Sequence, residues 1–276
     1  MSASAQSGVN VDPRAAVAPG AQLGQGVVVG PWCTVGPDVV LGDHVRLISH
    51  AVIDGRTSIG EGATVYPFAT VGMPPQDLKY KGEPTRTEIG PRTIIREHVT
   101  IHRGTVTGTG ITRVGAGCLL MAVVHVAHDC ALGDGVVVAN NAVMGGHVEI
   151  GDGAVIGGAA ALHQFVRIGR GAMVGGVSGV EADVIPFGMV IGNRARLSGL
   201  NVVGLRRRGI ARESIAALRR AFRDLFGGAG AFTDRLAALQ ALPNPDPLVG
   251  EMLAFATAPS HRGLIRAAIG ADDAED

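Results

Sequence analysis

The chain has 276 residues, and its 24 Lys and Arg balance 24 Asp and Glu, so net charge gives no reason to expect nucleic acid or an anionic membrane as a partner. Its three cysteines, Cys33, Cys118 and Cys130, form no CxxC pair, which argues against a disulfide framework and fits a reducing compartment. The sequence opens on no basic, apolar leader, and no apolar run approaches the ~20 residues of a membrane span, so we expect a cytoplasmic protein with no membrane insertion.

Glycine is abundant at 42 residues while aromatic residues make up 4%, a balance that points to a repeat. Residues 1–10 read as a disordered tail. From Val17 an aliphatic residue recurs at every sixth position: 17, 23, 29, 35, 41, 47, 53, 59, 65 and 71. Each hexad reads as a short strand and a turn, with the aliphatic residue inward and Gly or Asn supplying turn conformations of positive φ. Three hexads make one triangular coil, and stacked coils pair as parallel strands about 4.8 Å apart. The register is broken over Met73–Glu88 (MPPQDLKYKGEPTRTE), a polar, proline-rich loop of the kind that carries function. It resumes at Ile89, Ile95 and Ile101, slips by one residue around Thr107–Arg113, which reads as a bulge, and then holds from Val114 to Val180, with Met144 the one non-aliphatic member. We assign residues 11–196 to this β-helix, with 73–88 as an inserted loop.

Residues 197–276 read as an α-helical C-terminal domain. From Asn201, NVVGLRRRGIARESIAALRRAFRDLF has helical spacing at Ile215, Leu218, Ala221, Phe222 and Leu225. Thr233–Leu242, Leu248–Ala256 and His261–Ile269 are predicted as further helices, and ADDAED as an acidic tail. Arg206, Arg207, Arg208, Arg212, Arg219, Arg220 and Arg223 make a basic segment in a neutral protein. It fits either a solvated helix face or a dock for an acidic carrier or a pyrophosphate.

The stretch MAVVHVAHDCALGDG (Met121–Gly135) places His125, His128 and Asp129 in an apolar run. Residues 18 apart share a column one coil apart, so His128, Gly146, His147, His163 and Gln164 form a polar stripe, with His125 and Met121 at a nearby corner and His102 on the coil below. Any one of these histidines is more often a hydrogen-bonded surface residue; their clustering, with Asp129, points to chemistry. A carboxylate on one imidazole nitrogen fixes the tautomer and makes the other a base. Gly146 offers an unshielded N–H for a developing oxyanion, which completes the minimum set for acyl transfer. A three-histidine zinc site is the rival reading; no two histidines are five apart, so the spacing of a hexapeptide carbonic anhydrase is missing and we assign no metal ligand.

The [LIV]-G-x-x-x-x hexad resembles that of the hexapeptide acyltransferases, and with QDLKYKGEPT (76–85), IHRGT (101–105), HVAHDC (125–130), GGHV (145–148), HQF (163–165), GGVSGV (175–180), GLRRRG (204–209) and RGLIR (262–266) the chain closely resembles the acyl-[acyl-carrier-protein]–UDP-N-acetylglucosamine O-acyltransferases, the first enzymes of lipid A biosynthesis. That resemblance implies a mainly β fold, a left-handed parallel β-helix of hexapeptide repeats followed by the helical domain, assembled as a homotrimer. It implies transfer of an (R)-3-hydroxyacyl group from acyl carrier protein to the 3-OH of UDP-N-acetylglucosamine, with no cofactor beyond the carrier's phosphopantetheine. His128 matches the general base, Asp129 its support and Gly146 the oxyanion donor. Gln76, Asp77 and Lys79 match loop residues that reach the sugar or acyl chain from a neighbouring subunit. His102, His125, His147, His163 and Gln164 match sugar and nucleotide contacts, and Asn201, Arg207 and Arg208 match positions near the nucleotide and carrier arm. Gly176 matches a position that sets acyl length, and Arg194 stands where it could reshape that pocket. No Ser or Cys nucleophile motif adjoins His128, and Cys130 points away from it, so direct attack in a ternary complex is expected. The later N-acyltransferase of the pathway would need a further N-terminal domain. A 3-amino sugar as acceptor and a non-catalytic nucleotide-sugar scaffold are the other readings.

Overall fold

The computed structural model describes residues 8–243 and 245–267. Most of the tail expected over residues 1–10 and the acidic C-terminus lie outside them; the first strand already begins at Asn10. The strands are mostly two residues long and stack into sheets of eleven, nine and eight strands. Successive coils pair in parallel with a regular offset of 18 residues, as in Val28↔Arg46, Val52↔Thr34 and Val40↔Gln22. The chain visits the eleven-, nine- and eight-stranded sheets in that order, so each coil has three corners.

The predicted aliphatic column is the core: Val29, Leu41, Ile53, Ile95, Ile101, Leu120, Met144 and Ile156 are all buried. A second inward column lies two residues before each of these and holds small side chains such as Cys33, Ala51, Ala63, Ala142 and Ala172, because the prism narrows toward its corners. The intervening residue faces out. On the eight-stranded sheet that row runs Val40, Ser58, Glu88, Arg113, Ala131, Glu149 and Arg167; on the eleven-stranded sheet it starts Val28, Arg46 and Thr64 and is apolar from Ile94 through Leu119, Val137 and Val155 to Met173.

The corners meet the expectation in part: Gly26, Gly62, Gly117, Gly135, Gly153, Gly171 and Asn141 adopt positive φ as predicted, but so do Trp32, His44, His50, Phe68, Arg92, His98, Val123, Asp129, His147, Ala159, Phe165, Val177 and Phe187. The cost is about 1 kcal/mol or more per residue, and where the corner residues are rings stacking offsets it: Phe68 lies 4.9 Å from His98 and His147 4.4 Å from Phe165, each pair nearly coplanar.

The insertions are also redrawn. Strands Thr70–Met73 and Arg86–Ile89 take up both ends of the predicted 73–88 loop. The predicted bulge is a true loop: Thr100 pairs with His125, 25 residues on where regular coils are 18 apart. An insertion of one hexad plus one residue looks, modulo six, like a single extra residue.

The coil closes with an antiparallel pair, Gly188–Ile191 and Arg196–Leu200, so the expected boundary at 196/197 falls inside a strand. Helices α1 (Val202–Arg207), α2 (Arg212–Phe226), α3 (Phe232–Gln240) and α4 (Pro247–Thr257) follow; Gly209, at φ 72°, separates the first two. The predicted helix over 261–269 is not one. Its described part, to Ala267, runs extended beside the last coil: Ile265 N–H donates to Asp183 O at 2.9 Å and Asp183 N–H to Gly263 O at 2.7 Å. No helix among the described residues is long and apolar enough to cross a membrane.

Candidate active site

Both loops spring from one corner, between the nine- and eight-stranded sheets, and the histidines of the opening cluster gather there. The turn Ala127–Cys130 links strands His125–Val126 and Ala131–Leu132. Coil register sets Gly146 and Gln164 on the column of His128, and His147 and Phe165 on that of Asp129. His147 N–H donates to His128 O, and Phe165 N–H to Gly146 O, both at 3.0 Å. The rings continue upward: His128 meets His147 edge-on at 5.1 Å, His147 stacks on Phe165, and Phe165 lies 5.1 Å from His261 on the C-terminal return segment.

Asp129 is fully buried and its Oδ2 lies 2.8 Å from His128 Nδ1. Thr105 N–H lies 3.1 Å from both carboxylate oxygens, and the Thr105 hydroxyl donates to Oδ2 at 2.7 Å. Thr109 N–H and Gly110 N–H donate to Oδ1 at 2.9 and 3.1 Å. Burial alone would raise this carboxyl's pKa, but the hydrogen bonds from His128 and Thr105 outweigh it and hold the group below the usual carboxylate range. An anionic carboxylate only accepts, so His128 Nδ1 carries the proton and Nε2 presents a lone pair. Gly146 N–H finds no acceptor among the described residues. The Gly146 backbone lies so close that an added Cβ would sit 2.8 Å from His128 Nε2. The predicted base, support and oxyanion donor are thus brought together. The Thr105–Gly110 loop was missed in sequence; its run of Thr and Gly, which can turn several N–H groups one way, was the signal.

Burial favours the neutral form of three neighbouring imidazoles, His102, His125 and His147. His102 is pushed down to about 4 by burial and by the neighbouring His125 and His128; its Nδ1 has no partner among the described residues, and its ring meets His125 edge-on at 4.9 Å. His125 is lowered by burial and then by His128, and its Nδ1 pairs with the Thr100 hydroxyl at 2.7 Å. His147 is lowered chiefly by burial, with the Asp129 charge opposing. His163 and Gln164 are exposed beside them. Gln76, Asp77 and Lys79 lie on the 74–85 loop; Asp77 Oδ1 accepts Lys79 N–H at 2.9 Å. The charge of Asp77 also reaches His147 of the same chain.

Four predicted positions lie away from this corner. Gly176 is exposed at the corner between the eleven- and nine-stranded sheets. Asn201 caps α1 through Gly204 N–H and donates to Gly171 O at 3.0 Å. Arg208 donates to Gly153 O, and Arg207 is exposed beside it, so these three occupy the corner between the eight- and eleven-stranded sheets. His128, Asp129 and His147 offer ligand atoms within 4.8 Å of one another. Asp129, however, has its lone pairs taken by five loop donors besides His128, so the set does not suit a cation.

A family model described as UDP-N-acetylglucosamine O-acyltransferase, domain 2, matches residues 183–265, and one described as bacterial transferase hexapeptide (six repeats) matches residues 111–146. A curated relative from Azorhizobium caulinodans, named acyl-[acyl-carrier-protein]–UDP-N-acetylglucosamine O-acyltransferase, is 51% identical over 266 residues, 96% of this chain and 98% of its own length. One of the same name from Caulobacter vibrioides is 56% identical over 220 residues, 80% of this chain and 84% of that one. Among solved structures, the UDP-N-acetylglucosamine O-acyltransferase of Moraxella catarrhalis superposes with a TM-score of 0.88 at 42% identity, covering 93% of this chain and 99% of that one. That of Campylobacter jejuni gives 0.88 at 38%, covering 94% and 100%. These structures share the expected left-handed parallel β-helix with its helical C-terminal domain. A likeness that runs through loops, coil and return segment alike leaves one placement: the chain belongs to the acyl-[acyl-carrier-protein]–UDP-N-acetylglucosamine O-acyltransferases.

Proposed function

We propose that this acyltransferase moves an (R)-3-hydroxyacyl group from the phosphopantetheine thioester of acyl carrier protein to the 3-OH of UDP-N-acetylglucosamine, with His128 as general base. The reading is carried by one observation, the buried Asp129–His128 pair whose free Nε2 lies against the Gly146 backbone. Nε2 takes the 3-OH proton as the oxygen attacks the thioester carbonyl, and Gly146 N–H donates to the oxyanion. Collapse breaks the C–S bond, the imidazolium returns its proton to the leaving thiolate, and an ester and a free carrier thiol remain. His102, His125, His147, His163 and Gln164 line the sugar and nucleotide path. No acyl-enzyme forms, because the nearest thiol, Cys130, points into the core and burial pushes it up to about 12. No metal takes part.

The site is completed by two further copies. The outward row from Ile94 through Leu119, Val137 and Val155 to Met173 is an apolar face of the kind that another chain covers, unlike the row on the eight-stranded sheet, where Glu88, Arg113, Glu149 and Arg167 place charges. In a three-fold assembly it faces the nine-stranded sheet of the next copy, with the exposed Trp32 and Phe68 corner at the axis. The two outer corners then meet, bringing Asn201, Arg207 and Arg208 of one copy up to the histidines of the other. Leu119→Asp with Val137→Asp should give an inactive monomer by light scattering; an active trimer overturns the assembly.

The reaction is tested by mass spectrometry with UDP-N-acetylglucosamine and a series of 3-hydroxyacyl carrier proteins, in the presence of EDTA. We expect a product heavier by one hydroxyacyl group that mild base releases, and none from His128→Ala. No product from any donor overturns the reaction, and a base-stable product made only from a 3-amino sugar reassigns the acceptor.

A further inference from the structure

We propose that the loop Thr105–Gly110 is the positioning element of the catalytic base, fixing the Asp129 carboxylate so that the His128 imidazole presents Nε2 at one place. The inference rests on the reading of His128 as the base. Asp129 sits at the corner of one coil, while its partners come from a loop on the coil below, 19 to 24 residues earlier. Three of those donors are backbone N–H groups and the other two are the hydroxyls of Thr105 and Thr109. Their directions are set by the loop fold, so the carboxylate has one seat. Its backbone is held as well: Asp129 N–H donates to the buried Thr112 hydroxyl at 2.8 Å, from the strand that leaves the same loop.

The loop is shaped around the carboxylate. A Cβ on Gly108 would lie 2.5 Å from Asp129 Cγ and Oδ2 and 2.6 Å from Oδ1, far inside contact distance. Gly108 is nonetheless exposed, and its φ lies outside the left-handed region, so neither core packing nor backbone conformation explains a glycine there. The carboxylate does. The hydrogen bonds to the carboxylate also stabilise its anion, so the imidazolium formed during attack keeps both of its protons until Nε2 returns one to the thiolate. Thr105 and Gly108 touch no reacting atom and act through Asp129.

The test is steady-state kinetics on the full-length protein with Thr105→Val, Thr105→Ser, Gly108→Ala and His128→Ala. Thr105→Val and Gly108→Ala should each lower kcat about tenfold or more, while KM for the nucleotide sugar stays within about twofold. Thr105→Ser keeps the donor and should recover most of the rate. Gly108→Ala alters an exposed position and keeps the inference testable where Thr105→Val fails to fold. Near-native kcat in the folded variants, or a rise in KM alone, overturns the proposal. His128→Ala separates the two readings: if it is inactive while Gly108→Ala is normal, the positioning role alone falls, and if it stays active the base assignment falls.

Discussion

Gly146 has the same constraint from the other side of the imidazole. Its Cβ, if present, would lie 2.5 Å from His128 Cε1 and 2.8 Å from Nε2. Its φ is ordinary, so alanine is tolerated by the backbone, and such a change removes chain entropy from the unfolded state. Gly146→Ala should therefore still fold, with the gain in chain entropy offset by the displaced ring, while kcat falls about a hundredfold because the ring is driven off its line to the acceptor. A variant with near-native turnover would show that the His128 ring yields to the added methyl without losing its line to the acceptor. At this scale the sequence was readable where the chemistry is local. The HxxHD spacing and the 18-residue offset to Gly146 both survive in the structure. The Asp129 clamp was hidden because its donors lie on another coil and three of the five are backbone groups, which carry no side-chain signature. Phe165 and His261 were missed for a related reason: the ring column depends on positive φ at successive corners, and nothing in a hexad marks a bulky residue as able to adopt it.

Elements were legible to the extent that they repeat. A period of six identified the inward column from Val17 to Val180, but period alone is blind to insertions that are multiples of six. The first loop adds two whole hexads and leaves the register intact, as Thr64↔Ile94 shows, and the second adds one hexad and a residue. The C-terminal segment failed differently. RGLIR has too few apolar residues to distinguish a turn of helix from a strand, and its extended form is decided by tertiary partners. Asp183 organises that junction. Its buried carboxylate accepts Arg167 N–H at 2.9 Å and Arg167 Nε–H at 2.7 Å, and its backbone pairs with Gly263 and Ile265. Arg167 in turn lies over the Phe255 ring of α4 at 4.5 Å. Asp183→Ala leaves a largely buried guanidinium without its counter-charge, which costs about 3–5 kcal/mol. A chemical-denaturation midpoint within error of the native protein would show that the helical domain is held by its apolar contacts alone.

The whole molecule inherits a pH dependence from one corner. A solenoid is stabilised roughly as a sum over neighbouring coils, and the coils from His102 to His147 are the ones that bury ionisable rings. His102, His125 and His147 are all shifted below the ordinary imidazole value of 6.5, His102 to about 4. The unfolded chain therefore binds protons that the folded chain refuses. The stability these groups contribute is fully present above about pH 6.5 and is lost as pH falls toward 4, on the order of 3 kcal/mol for His102 by itself. Asp129 acts in the same direction at lower pH: its lowered carboxyl stabilises the fold above the unfolded value of 3.8 and that contribution disappears on further acidification. Both effects have one sign, so Tm should be flat from pH 8 to 7 and drop steadily from pH 6.5 to 4, well before ordinary carboxylates titrate. His102→Gln removes the most shifted ring and should make the pH 6.5–4 descent shallower. An equally steep descent in that variant would place the acid sensitivity elsewhere in the molecule, and the neutral histidine corner would then be a feature of the site without a share in the stability of the coil.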